Sequence, residues 1–241
     1  MKTILISGCS YSLVFSHHEI QDHIQEKFNV EHIVNLSRSG GSIDRQIKVV
    51  MEWLSNNPVP ELILMPLTHV ERYDASVSHV FDPATGYDEP LCVSMSPFTD
   101  QKEMMHRFPS RVDLQTVNDL LKISTLIYNN TSSFNNFITK IITFSGWLES
   151  KKIRHLIFNM CNKFDEGRFS QINKQLFLND NKNIINIYKF VGNKFMFESL
   201  TDKRKCEEKI NNLDAYIHHY DVESNKLLIN YLSSYIIKHN I

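Results

Sequence analysis

The sequence predicts an α/β domain in which helices cover a parallel β-sheet. Along the first third of the chain, short apolar and β-branched runs alternate with helix-like patterns, and this alternation is typical of a parallel sheet with crossover helices. The run Leu62–Leu67 is apolar throughout, as expected of a strand that is buried on both faces. Because 241 residues suit one such domain, we expect a single domain over residues 1–241.

The predicted strands and helices alternate along the chain. Helices are predicted where apolar residues recur every three or four positions, as Ile43, Ile47, Val50 and Leu54 do. The predicted strands are Thr3–Ser7, Glu31–Leu36, Leu62–Leu67, Ile153–Met160 and Asn183–Tyr188. The predicted helices extend over about Glu19–Phe28, Ile43–Asn56, Val112–Tyr128, Phe134–Ser150 and Val222–Lys238.

The segment from Tyr73 to Pro109 interrupts this alternation. It contains several turn pairs, among them Asp82-Pro83 and Thr85-Gly86, and it keeps aromatic and Met residues. We therefore expect an ordered but irregular elaboration of the domain at about residues 73–110.

Composition excludes several classes of protein. The formal net charge of −1 argues against a protein that binds nucleic acid by charge alone. The four cysteines are scattered without a C-x-x-C pair, which favours a reducing compartment over a disulfide scaffold. The apolar run at the N-terminus is too short for a signal peptide, and none elsewhere is long enough for a membrane span. We expect a soluble, cytoplasmic or otherwise intracellular protein with no membrane or nucleic-acid partner.

The ends of the first two strands carry candidate site residues, because ligand sites of parallel sheets lie at the carboxyl ends of the strands. Gly8-Cys9-Ser10-Tyr11-Ser12 follows the first strand and could expose a serine hydroxyl, although Ser10 or Ser12 could instead cap a helix. The turn Ser37–Ser42 follows the second strand and contains Gly40 and Gly41, which allow a backbone N–H to point into a site. The alternative there is a simple glycine turn with Ser42 as the helix cap.

Two further polar clusters complete the candidate set. Thr68, His69 and Arg72 follow the apolar third strand, where the alternative is a surface loop. Asp214 precedes His218 and His219 near the last helix, and a carboxylate can orient an imidazole as a general base. The alternative is that the histidines lie at the surface and that Asp221 caps the last helix.

The order of these four clusters resembles that of the SGNH (GDSL-type) hydrolase family. The segments GCSYS, NLSRSGGS and PLTHVERY are similar to a divergent branch found among phage and bacterial proteins. The resemblance implies a three-layer α/β/α sandwich with about five mostly parallel strands, a flavodoxin-like arrangement. It also implies an esterase, lipase or carbohydrate deacetylase activity. The implied roles are Ser10 as nucleophile, His219 as base, Gly40 (or Gly41, one residue on) as oxyanion donor, and Arg72 as the arginine that recurs after strand three.

The sequence departs from the family pattern at several positions. Cys9 stands where Asp is usual, and Thr68 stands where an oxyanion Asn is usual. Asp214 lies five residues before His219 instead of three, so Asp221 and His218 stay open as alternatives. The segment from Tyr73 to Pro109 has no counterpart in the family pattern.

The leading hypothesis is therefore a serine hydrolase that cleaves an ester, with an O-acyl carbohydrate among the candidate substrates. Ser10, His219 and Asp214 would form the catalytic set, and no metal or organic cofactor is required. One alternative is a binding or structural protein whose site on the same fold has lost activity. A weaker alternative is a nucleotide binder that uses the Gly40-Gly41 helix start.

A histidine-rich stretch offers a different chemistry at the first helix. His17, His18, Asp22 and His23 could supply metal ligands at helical spacing, but no second cluster accompanies them. We interpret them as a solvated helix face and predict no metal site.

Overall fold

The computed structural model describes residues 2–38, 41–68, 70, 72–77, 91–95, 115, 118–119, 122, 130–159, 182–185 and 222–241. The strands in these ranges are β1 (Thr3–Ile6), β2 (His32–Asn35), β3 (Leu62–Leu67), β4 (Tyr73–Val77), β5 (Leu91–Met95), β6 (His155–Asn159) and β7 (Ile184–Ile185). The helices are a 3₁₀ helix (Ser10–Ser16), α1 (His18–Phe28), α2 (Ile43–Asn56), α3 (Asn130–Ser150) and α4 (Val222–His239).

Five strands form one parallel sheet in the order β2-β1-β3-β6-β7. The prediction of an α/β fold on a five-stranded parallel sheet is confirmed. The chain passes from β1 outward to β2 and then returns to β3 on the other side of β1. The strand order therefore reverses between β1 and β3, the place in a parallel sheet where ligand sites usually form.

Alternation along the strands divides the apolar residues between two cores. Ile4 and Ile6 of β1 face one core together with the buried residues of α1 and α4. Leu5 faces the other core together with the buried residues of α2 and α3. Helices thus cover both faces of the sheet, as the apolar composition of Leu62–Leu67 predicts.

Most element bounds agree with the sequence prediction to within a few residues, and those of α2 and β3 are the same. The 3₁₀ helix was not predicted. The segment expected to be irregular contains β4 and β5, which pair antiparallel from Tyr73↔Met95 to Val77↔Leu91. The turn pairs Asp82-Pro83 and Thr85-Gly86 lie between these two strands in the sequence, which explains why the turn signals dominated the prediction.

The histidine-rich stretch is only partly the solvated face that the sequence suggests. His17, His18 and Asp22 are exposed, but His23 Nε2 lies 3.0 Å from Asn230 Oδ1 and joins α1 to α4. Within the described ranges, no three His, Cys, Asp or Glu side chains are grouped so that they could hold a metal ion. No helix there combines the length and apolar character that a membrane span requires.

Candidate functional site

The carboxyl edge of the sheet brings together the segments that follow β1, β2 and β3. Ser7 N donates to Leu64 O at 3.1 Å, which continues the β1–β3 pairing one residue beyond β1. Arg38 N donates to Gly8 O at 3.3 Å, which attaches the turn after β2 to the turn after β1. The predicted grouping of these segments at one edge is therefore present.

The turn after β1 requires glycine because its neighbours approach closely. A Cβ atom at Gly8 would lie 1.9 Å from Ser12 Oγ and 2.9 Å from Pro66 Cγ. Ser12 is fully buried, and its hydroxyl has no hydrogen-bond partner among the described residues. The helix begins after Cys9, whose side chain makes no capping hydrogen bond. The alternative that Ser12 caps this helix is therefore wrong.

The 3₁₀ helix that begins at Ser10 has a buried side and an exposed side. Side chains three residues apart lie on the same side of a 3₁₀ helix. Ser12 and Phe15 share a buried side, whereas Leu13 is 42% exposed and Ser16 is exposed. The side chain of Ser10 is outside the described part of the structure, so its role as a nucleophile stays a prediction.

Asn35, the last residue of β2, anchors the 3₁₀ helix. Its Nδ2 donates to Ser12 O at 2.9 Å and to Ser16 Oγ at 3.0 Å. Its Oδ1 accepts from Ser37 N at 3.0 Å, which also fixes the start of the next turn. One side-chain amide thereby couples the segment that carries Ser10 to the end of β2.

The turn after β2 uses Gly41 to close on itself. Gly41 N donates to Arg38 O at 3.1 Å, so this amide hydrogen is already engaged. A Cβ atom at Gly41 would lie 3.2 Å from Arg38 O and 3.6 Å from Gly8 O, a close approach that favours glycine. Ser42 then caps α2, its Oγ accepting from Arg45 N, as the capping alternative predicts.

Gln46 of α2 connects the ends of β1 and β3. Its side chain is fully buried, and Nε2 donates to Ser7 O at 3.1 Å and to Pro66 O at 2.7 Å. Its Oε1 accepts from Thr68 N at 3.4 Å, while Ser7 Oγ donates to the Gln46 carbonyl oxygen at 3.1 Å. Sequence analysis missed Gln46. The available signal was a glutamine on the apolar stripe of α2, three residues after Ile43 and four before Val50.

Thr68 and Arg72 form the third part of the site. Thr68 is buried directly after β3, with 2% of its surface exposed. Arg72 Nη1 donates to Thr68 Oγ1 at 3.2 Å. A threonine hydroxyl has one proton and two lone pairs, so this bond leaves the proton available for another acceptor. Thr68 therefore lies at the switch in strand order with a hydroxyl proton that it can donate.

Several predicted site residues lie outside the described part of the structure. These are Gly40, His69, Asp214 and His219, together with the alternatives His218 and Asp221. The structure therefore relates the segments of Ser10, Gly41, Thr68 and Arg72 to one another, and the histidine and acid of the hypothesis stay predictions.

A different serine and histidine are in contact at the amino end of the sheet, opposite the carboxyl edge. Ser145 Oγ lies 2.7 Å from His155 Nε2, and His155 Nδ1 lies 2.9 Å from Ile153 O. Because a carbonyl only accepts, Nδ1 carries the proton and Nε2 of the neutral ring accepts from Ser145. Ser145 and His155 are buried, and His155 is the first residue of β6, so the pair lies at the amino end of the sheet, away from the carboxyl ends where ligand sites form.

Comparison with known proteins adds no assignment to this geometry. No protein-family model matches the chain, and no curated protein matches it at a significant level. The functional interpretation therefore depends on the chemistry of the chain's own residues at the carboxyl edge of the sheet.

Proposed function

We propose that the chain is a serine hydrolase of the SGNH type that cleaves an ester, with Ser10 as the nucleophile. The observation that carries the proposal is the position of the segment containing Ser10. This segment follows β1 at the point where the strand order reverses, and it begins the 3₁₀ helix. Gln46 links the end of β1 to Thr68 at the same switch in strand order.

In the proposed reaction, Ser10 Oγ attacks the acyl carbon and forms a tetrahedral oxyanion. His219 takes the serine proton and returns it to the leaving alcohol, while Asp214 orients the imidazole. Water then attacks the acyl-enzyme, with His219 again as the base, and releases the acid and Ser10. These steps need no metal or organic cofactor.

The Thr68 hydroxyl is the described side chain best placed to stabilise the oxyanion. Arg72 occupies a lone pair of Thr68 Oγ1, which leaves the hydroxyl proton to be donated. The backbone N–H groups of Ser10 and Gly40 are the other proposed donors. Gly40 is preferred to Gly41, because the Gly41 N–H already donates to Arg38 O.

An O-acyl group on a carbohydrate is the proposed substrate class, following the resemblance to carbohydrate deacetylases. The scattered cysteines support a reducing, intracellular location for this activity. The substrate class and the location extend the proposal. They are tested after the experiment that tests Ser10 as the nucleophile.

Treatment with a fluorophosphonate probe, followed by intact-mass spectrometry and peptide mapping, tests the nucleophile. The proposal predicts one adduct on Ser10 in the wild-type protein and none in Ser10→Ala. Ser12→Ala is the matched control, because it removes a buried hydroxyl two residues away that makes no hydrogen bond among the described residues. It should be labelled like the wild type.

The pH dependence of labelling tests the base. Labelling should fall as His219 becomes protonated, at about pH 6–7 for an ordinary histidine. If the folded wild-type protein gives no adduct between about pH 6 and 9, the hydrolase proposal is wrong. The binding or structural alternative is then preferred.

A further inference from the structure

Pro66 interrupts the hydrogen-bond ladder between β1 and β3 at the edge of the candidate site. The register runs from Ile4↔Leu62 to Ile6↔Leu64, and Ser7 N donates to Leu64 O. In a parallel ladder of this register, the next bond would come from the N–H of residue 66 to Ser7 O. Residue 66 is a proline and has no N–H, so the ladder cannot continue.

The side chain of Gln46 supplies the donor that Pro66 lacks. Gln46 Nε2 donates to Ser7 O at 3.1 Å, the acceptor that the proline leaves without its ladder partner. The second hydrogen of Nε2 goes to Pro66 O at 2.7 Å. At this point the chain has already left β1. Both donors of the amide are used, and its oxygen accepts from Thr68 N at 3.4 Å. A helix side chain therefore replaces strand pairing beyond Leu64.

We infer that Gln46 is a positioning residue that sets the placement of Thr68 relative to the segment carrying Ser10. This inference rests on the proposed function, since it assigns the purpose of that placement to ester hydrolysis. Ser7 and Thr68 stand on either side of the interrupted ladder, and Gln46 bonds to both. Catalytic groups are sensitive to displacements of about 1 Å, so a loosened link would separate the nucleophile from its oxyanion donor.

The positioning role differs from a general contribution to stability in what it predicts. A loosened Gln46 link should lower kcat with little change in KM, because the oxyanion forms only in the transition state. The size of the effect of losing Gln46 should also depend on Pro66. Pro66→Ala restores an N–H that can donate to Ser7 O, so the effect of losing Gln46 should be smaller in that background.

The test compares Gln46→Met with Ser145→Ala in the fluorophosphonate reaction. Met keeps the length of the side chain and removes all three hydrogen bonds. Ser145→Ala removes a buried hydrogen bond at the opposite edge of the sheet, so it controls for lost stability. Both are measured at a temperature where circular dichroism and thermal unfolding show that they are folded. Gln46→Met should slow labelling of Ser10 about tenfold or more, and Ser145→Ala should leave it within about twofold.

The double variant Gln46→Met with Pro66→Ala should recover part of the labelling rate relative to Gln46→Met alone. If Gln46→Met does not fold, Gln46→Glu takes its place, since it keeps an acceptor for Thr68 N and a similar shape.

Three outcomes overturn the inference, and they are distinguishable. Equal labelling of the wild type and the folded Gln46 variant removes the positioning role and leaves the proposed function intact. An equal loss of labelling rate in Ser145→Ala would show that Gln46 contributes only to the general stability of the protein. Absence of labelling in the wild type removes the proposed function, and the positioning role with it.

Discussion

Ser145 of α3 donates its hydroxyl proton to Nε2 of His155, the first residue of β6, across 2.7 Å. The pair has the chemistry of a serine nucleophile and its base, yet it is closed to solvent at the amino end of the sheet. The candidate site lies at the other end, where Ser10 follows β1. The position of the pair at the amino end of the sheet, away from the carboxyl ends where ligand sites form, favours a structural role.

His155 should make the stability of the protein dependent on pH. Burial lowers the pKa of His155, while the hydrogen bond to Ile153 O and the Glu149 carboxylate oppose that shift. Above the pKa of an unfolded histidine, about 6.5, both states are neutral and the stabilisation is complete. As the pH falls below about 6.5, only the unfolded state takes up the proton, so the free energy of unfolding decreases until the lowered folded pKa is reached.

Urea unfolding at several pH values between about 5 and 8 measures this effect, with a slope of up to about 1.4 kcal/mol per pH unit for one proton. The non-titrating variant His155→Gln separates it from the contributions of the other histidines. It should show a smaller slope below about pH 6.5. Identical slopes for the two proteins would contradict the assignment to His155.

Gly8→Ala should destabilise the turn that carries the candidate nucleophile. The new Cβ atom would lie 1.9 Å from Ser12 Oγ and 2.9 Å from Pro66 Cγ, so the 3₁₀ helix or β3 must move. We expect a loss of about 2 kcal/mol or more in the free energy of unfolding. Gly146→Ala on α3 is the matched control. Apart from the helix's own backbone, a Cβ atom at Gly146 would have no neighbour within 4 Å. That change should stabilise the protein by about 0.5–1 kcal/mol, since alanine favours helix over glycine. Losses of equal size would show that the close approach at Gly8 is not the cause.

Asn35→Asp should loosen the attachment of the 3₁₀ helix to β2. The substitution replaces the Nδ2 donor by an acceptor that faces the Ser12 carbonyl oxygen, while Ser37 N keeps its partner. Losing this hydrogen bond and bringing a carboxylate oxygen against the Ser12 carbonyl oxygen costs about 1–3 kcal/mol. Asn56→Asp makes the same chemical change at an exposed helix end, where Asn56 Nδ2 donates to Glu52 O. Denaturant unfolding should show a loss in the first variant and a change within about 0.5 kcal/mol in the second. Two equal losses would assign the effect to the added charge.

Local patterns in the sequence determine the fold more completely than the site. The bounds of α2 and β3 follow from apolar spacing and from the stop signal Asn57-Pro58, which act within a few residues. Gln46 bonds to Ser7 and Pro66, which lie 39 and 20 residues away along the chain, so no local pattern reveals its partners. Pro66 alone argues against a central strand. In the structure, the distant Gln46 donates to the Ser7 carbonyl that the proline leaves without its ladder partner.

The 3₁₀ helix escaped prediction for a related reason. Its buried side consists of Ser12 and Phe15, a polar and an aromatic residue, and one repeat of three is too short to distinguish from a loop. The strand-end rule nevertheless predicted that the segments carrying Ser10, Thr68 and Arg72 share the carboxyl edge of the sheet, and they do. It relies only on the parallel arrangement of the strands, which the sequence predicts.

Thr68→Val should separate the oxyanion role of Thr68 from its packing role. Valine has nearly the shape of threonine and lacks the hydroxyl that accepts from Arg72 Nη1 at 3.2 Å. If the hydroxyl proton stabilises the oxyanion, kcat for a nitrophenyl ester should fall about 10²-fold with little change in KM. Thr68→Ser keeps a hydroxyl at the same atom and should retain most of kcat. Arg72→Met leaves Thr68 in place and removes the group that directs its proton, so an intermediate loss is expected. A folded Thr68→Val protein with the kcat of the wild type would exclude Thr68 from the oxyanion site, and the backbone N–H groups of Ser10 and Gly40 would have to supply that stabilisation.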